Sequence, residues 1–218
     1  MTAEPPSDCP LCPRLVAFRD EQRVTHPDWF NAPVPLFGDP DAWLAIVGLA
    51  PGLKGANRTG RPFTGDGASA ILFEALLRLG LAEGVYGGDA DDGLRLNGVA
   101  IVNAVRCVPP GNKPTPEEMR TCRPFLENAL AGLPRLRVVL ALGQIAHQSA
   151  IKALGGKLPK ARFAHGAEHR LPSGMIVINS YHCSRLNQNV GLLDAAMLEA
   201  VLARSIAYLG VGANSVTP

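Results

Sequence analysis

Four short apolar runs constrain the fold of this chain more than any other feature of its sequence. They are WLAIVGL at 43–49, GVAIVNAV at 98–105, LRVVLAL at 136–142 and MIVINSY at 175–181. Each run is rich in β-branched residues, which is typical of strands buried on both faces of a sheet. Helical patterns occupy the segments between them. This alternation predicts an α/β fold in which helices cover both faces of a parallel sheet.

The predicted helices have recognisable patterns and ends. Apolar residues recur at helical spacing over 71–79. Another helix begins at Thr115, because Thr115 and Glu118 form a capping box. Further helices are predicted over about 144–154 and about 194–209.

The carboxyl ends of the predicted strands should meet at one edge of the sheet. Right-handed crossovers bring the ends of parallel strands to the same side, where such folds bind ligands. We therefore expect the loop after Leu49, the side chain of Asn103, the turn at 143–144 and His182 to converge there.

Residues 48–66 form a long connection that leaves this edge. The stretch reads GLAPGLKGANRTGRPFTGD and contains five glycines. Gly and Pro interrupt regular elements, and a long ordered loop in a compact domain is usually functional. A flexible surface connection is the alternative. The position between a strand and a helix favours a ligand site.

Length and composition set the broad class of the protein. We expect one domain over residues 1–218. No apolar run approaches the roughly 18 residues of a membrane-spanning helix. The N-terminal MTAEPPSDCPLC has no basic region followed by an apolar core, so no secretory signal is predicted. We therefore expect a cytoplasmic monomer with no membrane partner.

The net charge gives little indication of a nucleic-acid partner. It is only +2 for the whole chain. Local basic groups can nevertheless bind phosphate, and arginines fall in or near the segments of interest. These arginines are Arg58, Arg61, Arg106 and Arg185.

Four of the five cysteines follow a pattern that suits a metal site. Cys9 and Cys12 form a C-x2-C pair, and Cys107 and Cys122 form a wider pair further along the chain. A structural zinc ion and a four-cysteine iron–sulfur cluster both fit this set of thiolates. Ordinary buried thiols at Cys107 and Cys122 are a third interpretation.

The groups expected at the sheet edge suit recognition of a flat polar heterocycle. The Asn103 amide can hydrogen-bond a base edge, Phe63 can stack on the base, and His182 can stabilise negative charge as the base departs. Asp66 adds a carboxylate. No Ser or Cys nucleophile with a base is evident, which argues against acyl transfer.

Each of these side chains also has a simpler structural interpretation. Asp66 can cap a helix, Phe63 can belong to the core, Asn103 can bond at a strand end, and His182 can be an ordinary histidine. Cys183 beside His182 suggests a Cys-His pair, but adjacent residues on a strand end tend to point apart.

At the level of whole motifs, the chain resembles the uracil-DNA glycosylase superfamily, and within it the iron–sulfur-containing family 5, or type B, enzymes. The resemblance rests on GLAPGLKGANRTGRPFTGD, NAVRCVPPGNKPTPEE, LALGQIA, SYHCSRLN and the N-terminal CPLC. It implies a four-stranded parallel sheet in a three-layer α/β/α sandwich. It also implies a [4Fe–4S] cluster bound by Cys9, Cys12, Cys107 and Cys122.

The resemblance further implies a role for each matching residue. Phe63 corresponds to the aromatic that stacks on a flipped base, Asn103 to the amide that reads its edge, Asp66 to the carboxylate that serves water, and His182 to the histidine that stabilises the departing base. The backbone of residues 50–52, that is Ala50, Pro51 and Gly52, would approach the nucleotide.

Contacts to DNA are assigned to two segments by the same resemblance. In the first, Asn57, Arg58 and Arg61 would hold the loop or reach phosphate. In the second, Ser184, Arg185, Leu186 and Asn187 match the loop that enters the minor groove, with Arg185 and Leu186 near the wedge that fills the space left by the base.

Two positions depart from the family pattern. The chain has Leu49 where related families carry a polar or acidic residue, which is Glu in the neighbouring iron–sulfur family, so Asp66 is the nearest carboxylate for water. It also has Cys183 where the family usually has proline after the histidine, which removes the fixed φ of proline from the His182 loop.

Together these features predict a monofunctional DNA glycosylase that removes uracil from DNA and leaves an abasic site. The resemblance implies hypoxanthine, xanthine and ethenocytosine as further substrates. Two other hypotheses remain: a non-catalytic iron–sulfur protein that binds DNA or abasic sites, and a hydrolase that depends on Cys183.

Overall fold

The computed structural model of the chain describes residues 4–67 and 69–210. Eight strands and seven α-helices lie within these ranges, together with two short 3-10 turns. The strands are β1 Phe37–Gly38, β2 Leu44–Gly48, β3 Ala82–Glu83, β4 Arg95–Leu96, β5 Val99–Asn103, β6 Val138–Leu142, β7 Glu168–Arg170 and β8 Ile176–Ser180. The helices are α1 Pro13–Thr25, α2 Ala56–Thr59, α3 Ser69–Arg78, α4 Pro116–Ala131, α5 Gln144–Ala153, α6 Arg185–Asn189 and α7 Ala195–Gly210.

The main sheet has six strands in the order β1-β5-β2-β6-β8-β7. The four central strands are the four apolar runs, and all three pairings among them are parallel. The predicted four-stranded parallel sheet is therefore confirmed. Two edge strands lengthen it, because the short β1 pairs antiparallel with β5 and the short β7 pairs antiparallel with β8.

Alternating side chains of each central strand enter two separate cores. In β2, Leu44 and Ile46 pack on one side of the sheet, whereas Ala45 and Val47 pack on the other. The first core is shared with α3 and α7, and the second with α4 and α5. The chain thus forms the predicted three-layer α/β/α arrangement, in which every residue of the four central strands is buried.

Several local predictions hold in detail. The capping box at Thr115 is present, with the Thr115 side chain accepting from the Glu118 backbone and the Glu118 side chain accepting from the Thr115 backbone. The helices predicted over about 144–154 and about 194–209 match α5 and α7. No sequence pattern identified α1, α2 or the edge strands.

A small third cluster of buried side chains lies outside the two main cores. It contains Cys9 and Cys122 with Leu15, Val105 and Phe125. The N-terminal segment and α1 are packed here against α4 and the end of β5.

None of the helices within residues 4–67 and 69–210 combines the length and hydropathy that a membrane span requires.

Candidate active site and cysteine pocket

A pocket of about 410 Å³ lies at the carboxyl ends of the parallel strands. Phe63, Asp66, Asn103 and His182 all line it, as do residues 50–52. The predicted convergence of these groups is confirmed. Their catalytic and binding roles remain predictions.

The turn that precedes α5 also reaches this edge, but it supports the pocket from outside. Gly143 adopts φ +95° and lies against His182, so that a Cβ on Gly143 would be 3.3 Å from the His182 Cβ. Its backbone N–H donates to the carbonyl of Ser180 at 2.8 Å. The turn therefore positions the histidine loop and is not part of the described lining.

Gly48 sets the distance between two of the lining side chains. A Cβ at this position would be 2.4 Å from Asn103 Oδ1 and 2.6 Å from Phe63 Cε2. Both contacts are shorter than any side chain could tolerate. The last residue of β2 must lack a side chain so that the amide and the ring can approach the strand end.

Phe63 holds its position in an uncommon backbone conformation. Its φ is +53°, in the left-handed region that non-glycine residues rarely occupy. The side chain is buried, and its ring centroid lies 5.9 Å from that of His182. The two rings thus form adjacent walls of the pocket.

Asn103 is the last residue of β5 and is only 2% exposed. Its backbone is fixed in the sheet opposite Gly48. Within the described part of the chain, its side-chain amide makes no hydrogen bond. A ligand in the pocket could therefore use both the donor and the acceptor of this amide.

His182 is held in one orientation by the backbone that follows it. Its Nδ1 accepts a hydrogen bond from the Ser184 backbone N–H at 3.1 Å. In the neutral ring the proton must therefore reside on Nε2, which becomes a donor. Burial lowers the pKa of His182, and the nearby Asp66 carboxylate offsets this effect in part. The neutral imidazole is the form that this environment favours.

Asp66 packs against the backbone of the glycine-rich loop. A Cβ on Gly52 would be 2.8 Å from Asp66 Oδ2, and a Cβ on Gly55 would be 2.5 Å from the same atom. Of the described residues that line the pocket, Asp66 alone carries a carboxylate. The helix that follows starts at Ser69, and the residue before it lies outside the described residues, so a capping role stays a prediction.

The segment after His182 folds into the short helix α6. Ser184 caps this helix by accepting from the Asn187 backbone N–H at 3.4 Å. The Asn187 side-chain amide donates to the His182 carbonyl at 2.7 Å. Leu186 is 70% exposed on the helix. This geometry leaves Leu186 accessible and uses the Asn187 amide nitrogen to hold the histidine loop.

Arg185 connects the two loops that border the pocket. Its side chain lies across Gly67, where a Cβ would be 1.9 Å from Arg185 Nε. Arg185 also lines the pocket and is exposed. It is therefore placed at the mouth, where a phosphate contact is sterically possible.

The structure corrects the assignment of Asn57 and Arg61 to DNA contact. Asn57 is 1% exposed, and its side chain donates to Asn31 Oδ1 at 2.9 Å. Arg61 is 3% exposed and binds Asp92. Both side chains are used inside the protein, so they hold the loop and cannot reach phosphate. Arg58 is less buried and bonds the Lys54 carbonyl, and its proposed DNA contact stays a prediction.

The acidic loop before β4 is not uniformly exposed, because Asp92 is withdrawn from solvent. The Asp92 side chain is only 6% exposed because it pairs with Arg61. The neighbouring Asp89 and Asp91 are exposed. A buried ion pair between two distant segments leaves no periodic signal in a sequence.

Asn112 is a pocket residue that the motifs did not identify. It lies in the 3-10 turn Pro110–Asn112 and adopts φ +58°. Its side chain lines the pocket and, among the described residues, forms no hydrogen bond. Leu49 lines the same pocket with an apolar side chain. The P-P-G-N sequence signals a turn, but nothing in it indicates that the turn faces the site.

Cys183 does not face the pocket. It is fully buried in the core between the sheet, α3 and α7. Burial raises the pKa of its thiol to about 12. A nucleophilic role for Cys183 therefore has no support, since a reactive thiol needs exposure and a lowered pKa.

The other four cysteines line a second pocket, which lies between the N-terminal segment, the loop after β5 and α4. Cys9, Cys12, Cys107 and Cys122 share this pocket with apolar side chains such as Phe125. Burial raises the pKa of Cys12 to about 11 and that of Cys107 to about 12, and the neighbouring thiols add to both shifts. Four thiolates would repel one another here unless a cationic group lay between them.

Two buried arginines flank the cysteine pocket. Arg106 lines it, donates to the Val34 carbonyl at 3.1 Å and forms an ion pair with Glu4. Arg19 donates to the Cys9 carbonyl at 3.2 Å. The Nε atoms of both arginines are buried and lack hydrogen-bond partners in the described structure. Arg19 Nε lies 3.8 Å from Asp20 Oδ1 in an ion pair, whereas Arg106 Nε is left without an acceptor among the described residues.

The thiols nevertheless do not form a site for a single ion. Within residues 4–67 and 69–210, no three His, Cys, Asp or Glu side chains are grouped so that they could hold a metal ion. The cysteine pocket is thus an association of four thiols on three segments of the chain.

Comparison with known proteins is consistent with this geometry. The family model described as "Uracil DNA glycosylase superfamily" matches residues 35–204. The match covers the whole central sheet and every described lining residue of the 410 Å³ pocket.

Curated relatives match a larger share of the chain than the family model does. A type-5 uracil-DNA glycosylase of Thermus thermophilus is 46% identical over 199 residues, which cover 89% of this chain and 90% of that protein. A type-5 uracil-DNA glycosylase of Pyrobaculum aerophilum is 42% identical over 207 residues, covering 93% of this chain and 90% of that protein. A type-4 enzyme of the same organism is 35% identical over 58% of this chain and 57% of that protein.

Type-5 relatives therefore align over about nine tenths of both chains, whereas the type-4 relative covers little more than half. The chain belongs to the uracil-DNA glycosylase superfamily, among its type-5 members.

Proposed function

We propose that this protein is a monofunctional uracil-DNA glycosylase, which extrudes uracil from DNA and hydrolyses its N-glycosidic bond to leave an abasic site. One observation carries the proposal: an amide, an aromatic ring, an imidazole and a carboxylate converge on one pocket at the end of the sheet. Family membership supports the same reaction. DNA containing uracil is accordingly the proposed partner.

The pocket suits a flipped pyrimidine. Phe63 offers a ring face for stacking, and the Asn103 amide offers a donor beside an acceptor, which matches the alternating polar atoms on the edge of uracil. The glycine-rich backbone at Ala50, Pro51 and Gly52 allows the nucleotide to approach closely. An exocyclic amine in place of a carbonyl would present the amide with the wrong pattern.

His182 is suited to stabilise the departing base. As the bond from C1′ to N1 of uracil breaks, negative charge accumulates on the base. A neutral imidazole with its proton on Nε2 can donate to the O2 atom of that base without first losing a proton. The bond from the Ser184 backbone to Nδ1 favours this tautomer.

Asp66 is proposed to orient the attacking water and to stabilise positive charge on the sugar. Water adds to C1′, and its proton ends on the uracil anion, so that uracil and an abasic deoxyribose are the products. Leu49 cannot serve water because its side chain is apolar. Departure of the base leaves an oxocarbenium-like sugar. A single carboxylate is then sufficient to orient the water that adds to C1′.

Contacts to DNA are proposed for the rim of the pocket. Arg185 at the mouth and exposed Leu186 on α6 are placed to meet the duplex, with Leu186 filling the gap that extrusion leaves. Ser184 and Asn187 support this segment through the cap and the His182 carbonyl. Arg58 is the remaining candidate for a phosphate contact.

No lysine lines the described pocket, so we expect no Schiff base and no strand cleavage. Hypoxanthine, xanthine and ethenocytosine are proposed as further substrates. They extend the proposal from one pyrimidine to larger bases, for which 410 Å³ leaves room.

A [4Fe–4S] cluster is proposed for the cysteine pocket, with Cys9, Cys12, Cys107 and Cys122 as ligands. Four thiols in a largely apolar pocket suit this group. The Arg106 Nε–H, which has no hydrogen-bond acceptor among the described residues, fits an anionic, sulfur-rich acceptor. When bound, the cluster would supply a cross-link between the N-terminal segment, the loop after β5 and α4.

A zinc ion is the alternative group for the same residues. Zinc requires four ligands at about 2.3 Å from one point. Brown colour with equimolar iron and sulfide would support the cluster, and a colourless preparation that carries zinc would refute it.

The function can be tested with a duplex that carries one uracil. We expect free uracil and an alkali-labile abasic site in equal amounts, and a rate about 10²-fold lower for Asp66→Asn, because a positioned general base typically contributes at least this much. Asp91→Asn is the matched control, since Asp91 is an exposed carboxylate outside the pocket. Binding of the duplex without any product would instead establish a non-catalytic iron–sulfur protein that recognises DNA.

A further inference from the structure

Arg61 and Asp92 form a buried ion pair that the reaction described above does not use. Arg61 Nη1 donates to Asp92 Oδ1 at 2.7 Å, and Arg61 Nη2 donates to Asp92 Oδ2 at 2.6 Å. The side chains are 4% and 6% exposed. This two-pronged arrangement is the strongest and most directional form of an Arg–carboxylate contact.

Both partners make enough further contacts to compensate for their burial. The Asp92 carboxylate also accepts from the backbone N–H groups of Gly87 at 2.9 Å and Leu94 at 3.0 Å. The Arg61 guanidinium lies 5.1 Å from the centre of the Phe37 ring and 5.5 Å from that of Phe73. These contacts hold the pair in one geometry. Removing one partner would leave the charge of the other buried and uncompensated.

The pair acts directly on the segment that carries the stacking ring. Arg61 Nε donates to Thr64 Oγ1 at 2.8 Å, so the guanidinium bonds the residue on the far side of Phe63. The Gly65 N–H donates to the hydroxyl of Tyr86, whose ring lies 5.9 Å from the guanidinium carbon. Residues 61–65 are thus tied to the 86–92 loop at both ends.

This restraint coincides with a strained residue. A non-glycine residue in the left-handed region is strained and persists only where its surroundings enforce it. Phe63 adopts φ +53° between the two anchored residues Arg61 and Thr64. Released from these contacts, the peptide would relax toward a negative φ and turn the ring away from Gly48.

We propose that Asp92 is a positioning residue for base excision, which acts through Arg61 to hold Phe63 in the strained conformation that presents its ring to the extruded base. The inference rests on the proposed function, because it assigns Phe63 to base stacking. It gives the glycine-rich 86–92 loop, which lies outside the described lining of the pocket, a part in substrate recognition.

The test compares Asp92→Asn with Asp91→Asn, which removes an exposed charge from the same loop. We expect single-turnover uracil release to fall about 10²-fold in Asp92→Asn, as for a misplacement of about 1 Å, and to stay at the wild-type rate in Asp91→Asn. A double-mutant cycle with Phe63→Ala separates positioning from general damage. If Asp92 acts through Phe63, Asp92→Asn should add little to the loss in Phe63→Ala.

Amide hydrogen exchange of residues 63–66 supplies a readout that needs no substrate. It should accelerate in Asp92→Asn but not in Asp91→Asn, while exchange in the central strands stays unchanged. Unchanged exchange, a wild-type rate in Asp92→Asn, or fully additive losses with Phe63→Ala would each overturn the inference. A wild-type protein that releases no uracil would overturn the proposed function instead, and the exchange experiment would still decide the positioning role.

Discussion

The pocket of about 410 Å³ at the end of the sheet, which we call the base pocket, and the cysteine pocket are built in opposite ways. The base pocket places polar side chains at the ends of strands whose backbones are fixed by the central sheet. The cysteine pocket gathers thiols from a terminal segment, a loop and a helix, and no sheet hydrogen bonds join these parts. One pocket is therefore a consequence of the fold, whereas the cluster proposed above would join the three segments that form the other.

This difference indicates separate contributions to function. The sheet supplies a rigid frame in which Asn103 and Gly48 keep their spacing without any ligand. Beside the cysteine pocket, the buried Nε of Arg106 has no hydrogen-bond acceptor among the described residues, so the polypeptide leaves this polar group unsatisfied. We expect substitutions in the first region to change the rate of uracil release, and substitutions in the second to change stability first.

Asn103→Ala is expected to give the largest effect on rate among the tests of this comparison. Loss of the amide should reduce single-turnover release of uracil about 10²–10³-fold, the range typical for one essential hydrogen-bonding group. The visible absorption of the cluster should be unchanged, since Asn103 does not line the cysteine pocket. A coupled loss of rate and colour would show that the two regions are not separate.

Gly48→Ala should have the next largest effect. The new methyl group would meet the Asn103 amide and the Phe63 ring at once, and a displacement of about 1 Å costs on the order of 10²-fold in rate. Gly132→Ala is the control, because Gly132 has a helical φ and its added Cβ would come no closer than 3.2 Å to a neighbour. Equal rates for the two variants would contradict the packing argument.

Cys122→Ser should affect stability more than catalysis. Loss of the cross-link should lower the free energy of unfolding by about 2–5 kcal/mol, as for loss of another covalent cross-link. Denaturant unfolding followed by circular dichroism measures this change, and a visible spectrum confirms loss of the cluster. At temperatures where the variant is folded, its rate should remain well above that of Asn103→Ala. A rate as low as in Asn103→Ala would mean that the base pocket depends on the cluster.

The smallest expected effect is the dependence on pH. Because burial lowers the pKa of His182 below its ordinary value near 6.5, the neutral ring persists as the pH falls through that value. The unfolded chain binds the proton more readily, so this group stabilises the fold less as the pH falls below about 6.5. We expect a rate that is flat from neutral pH to below about 6.5 and then falls. If activity is instead lost on acidification with a midpoint above pH 6.5, the pKa of His182 is raised and not lowered, which would contradict this prediction.

The regular secondary-structure elements of the fold were predictable from sequence, because their residues follow periodic patterns. Apolar runs and helical spacing identify the central strands and most helices, and parallel topology then brings Asn103 and His182 to one edge. Motif resemblance adds the identity of Phe63 and Asp66 as pocket residues. Periodicity is a property of regular elements, so it extends no further than these.

The remaining features depend on contacts between distant segments. Arg61 looked like a phosphate contact because its partner Asp92 lies 31 positions away in a loop with no distinctive pattern. Asn112 was missed for a similar reason, since only the path of the chain after Cys107 brings it to the pocket. The two-residue strand β1 and the four-residue helix α2 are too short to produce a pattern.

The most direct test of the account is the single-turnover rate of uracil release by His182→Ala at the same cluster content as the wild-type protein. The account predicts an unchanged visible spectrum and a rate about 10²–10³-fold lower, because the donor to the departing base is lost while the cysteine pocket is intact. A wild-type rate in His182→Ala would contradict the assignment of the chemistry to the edge of the sheet.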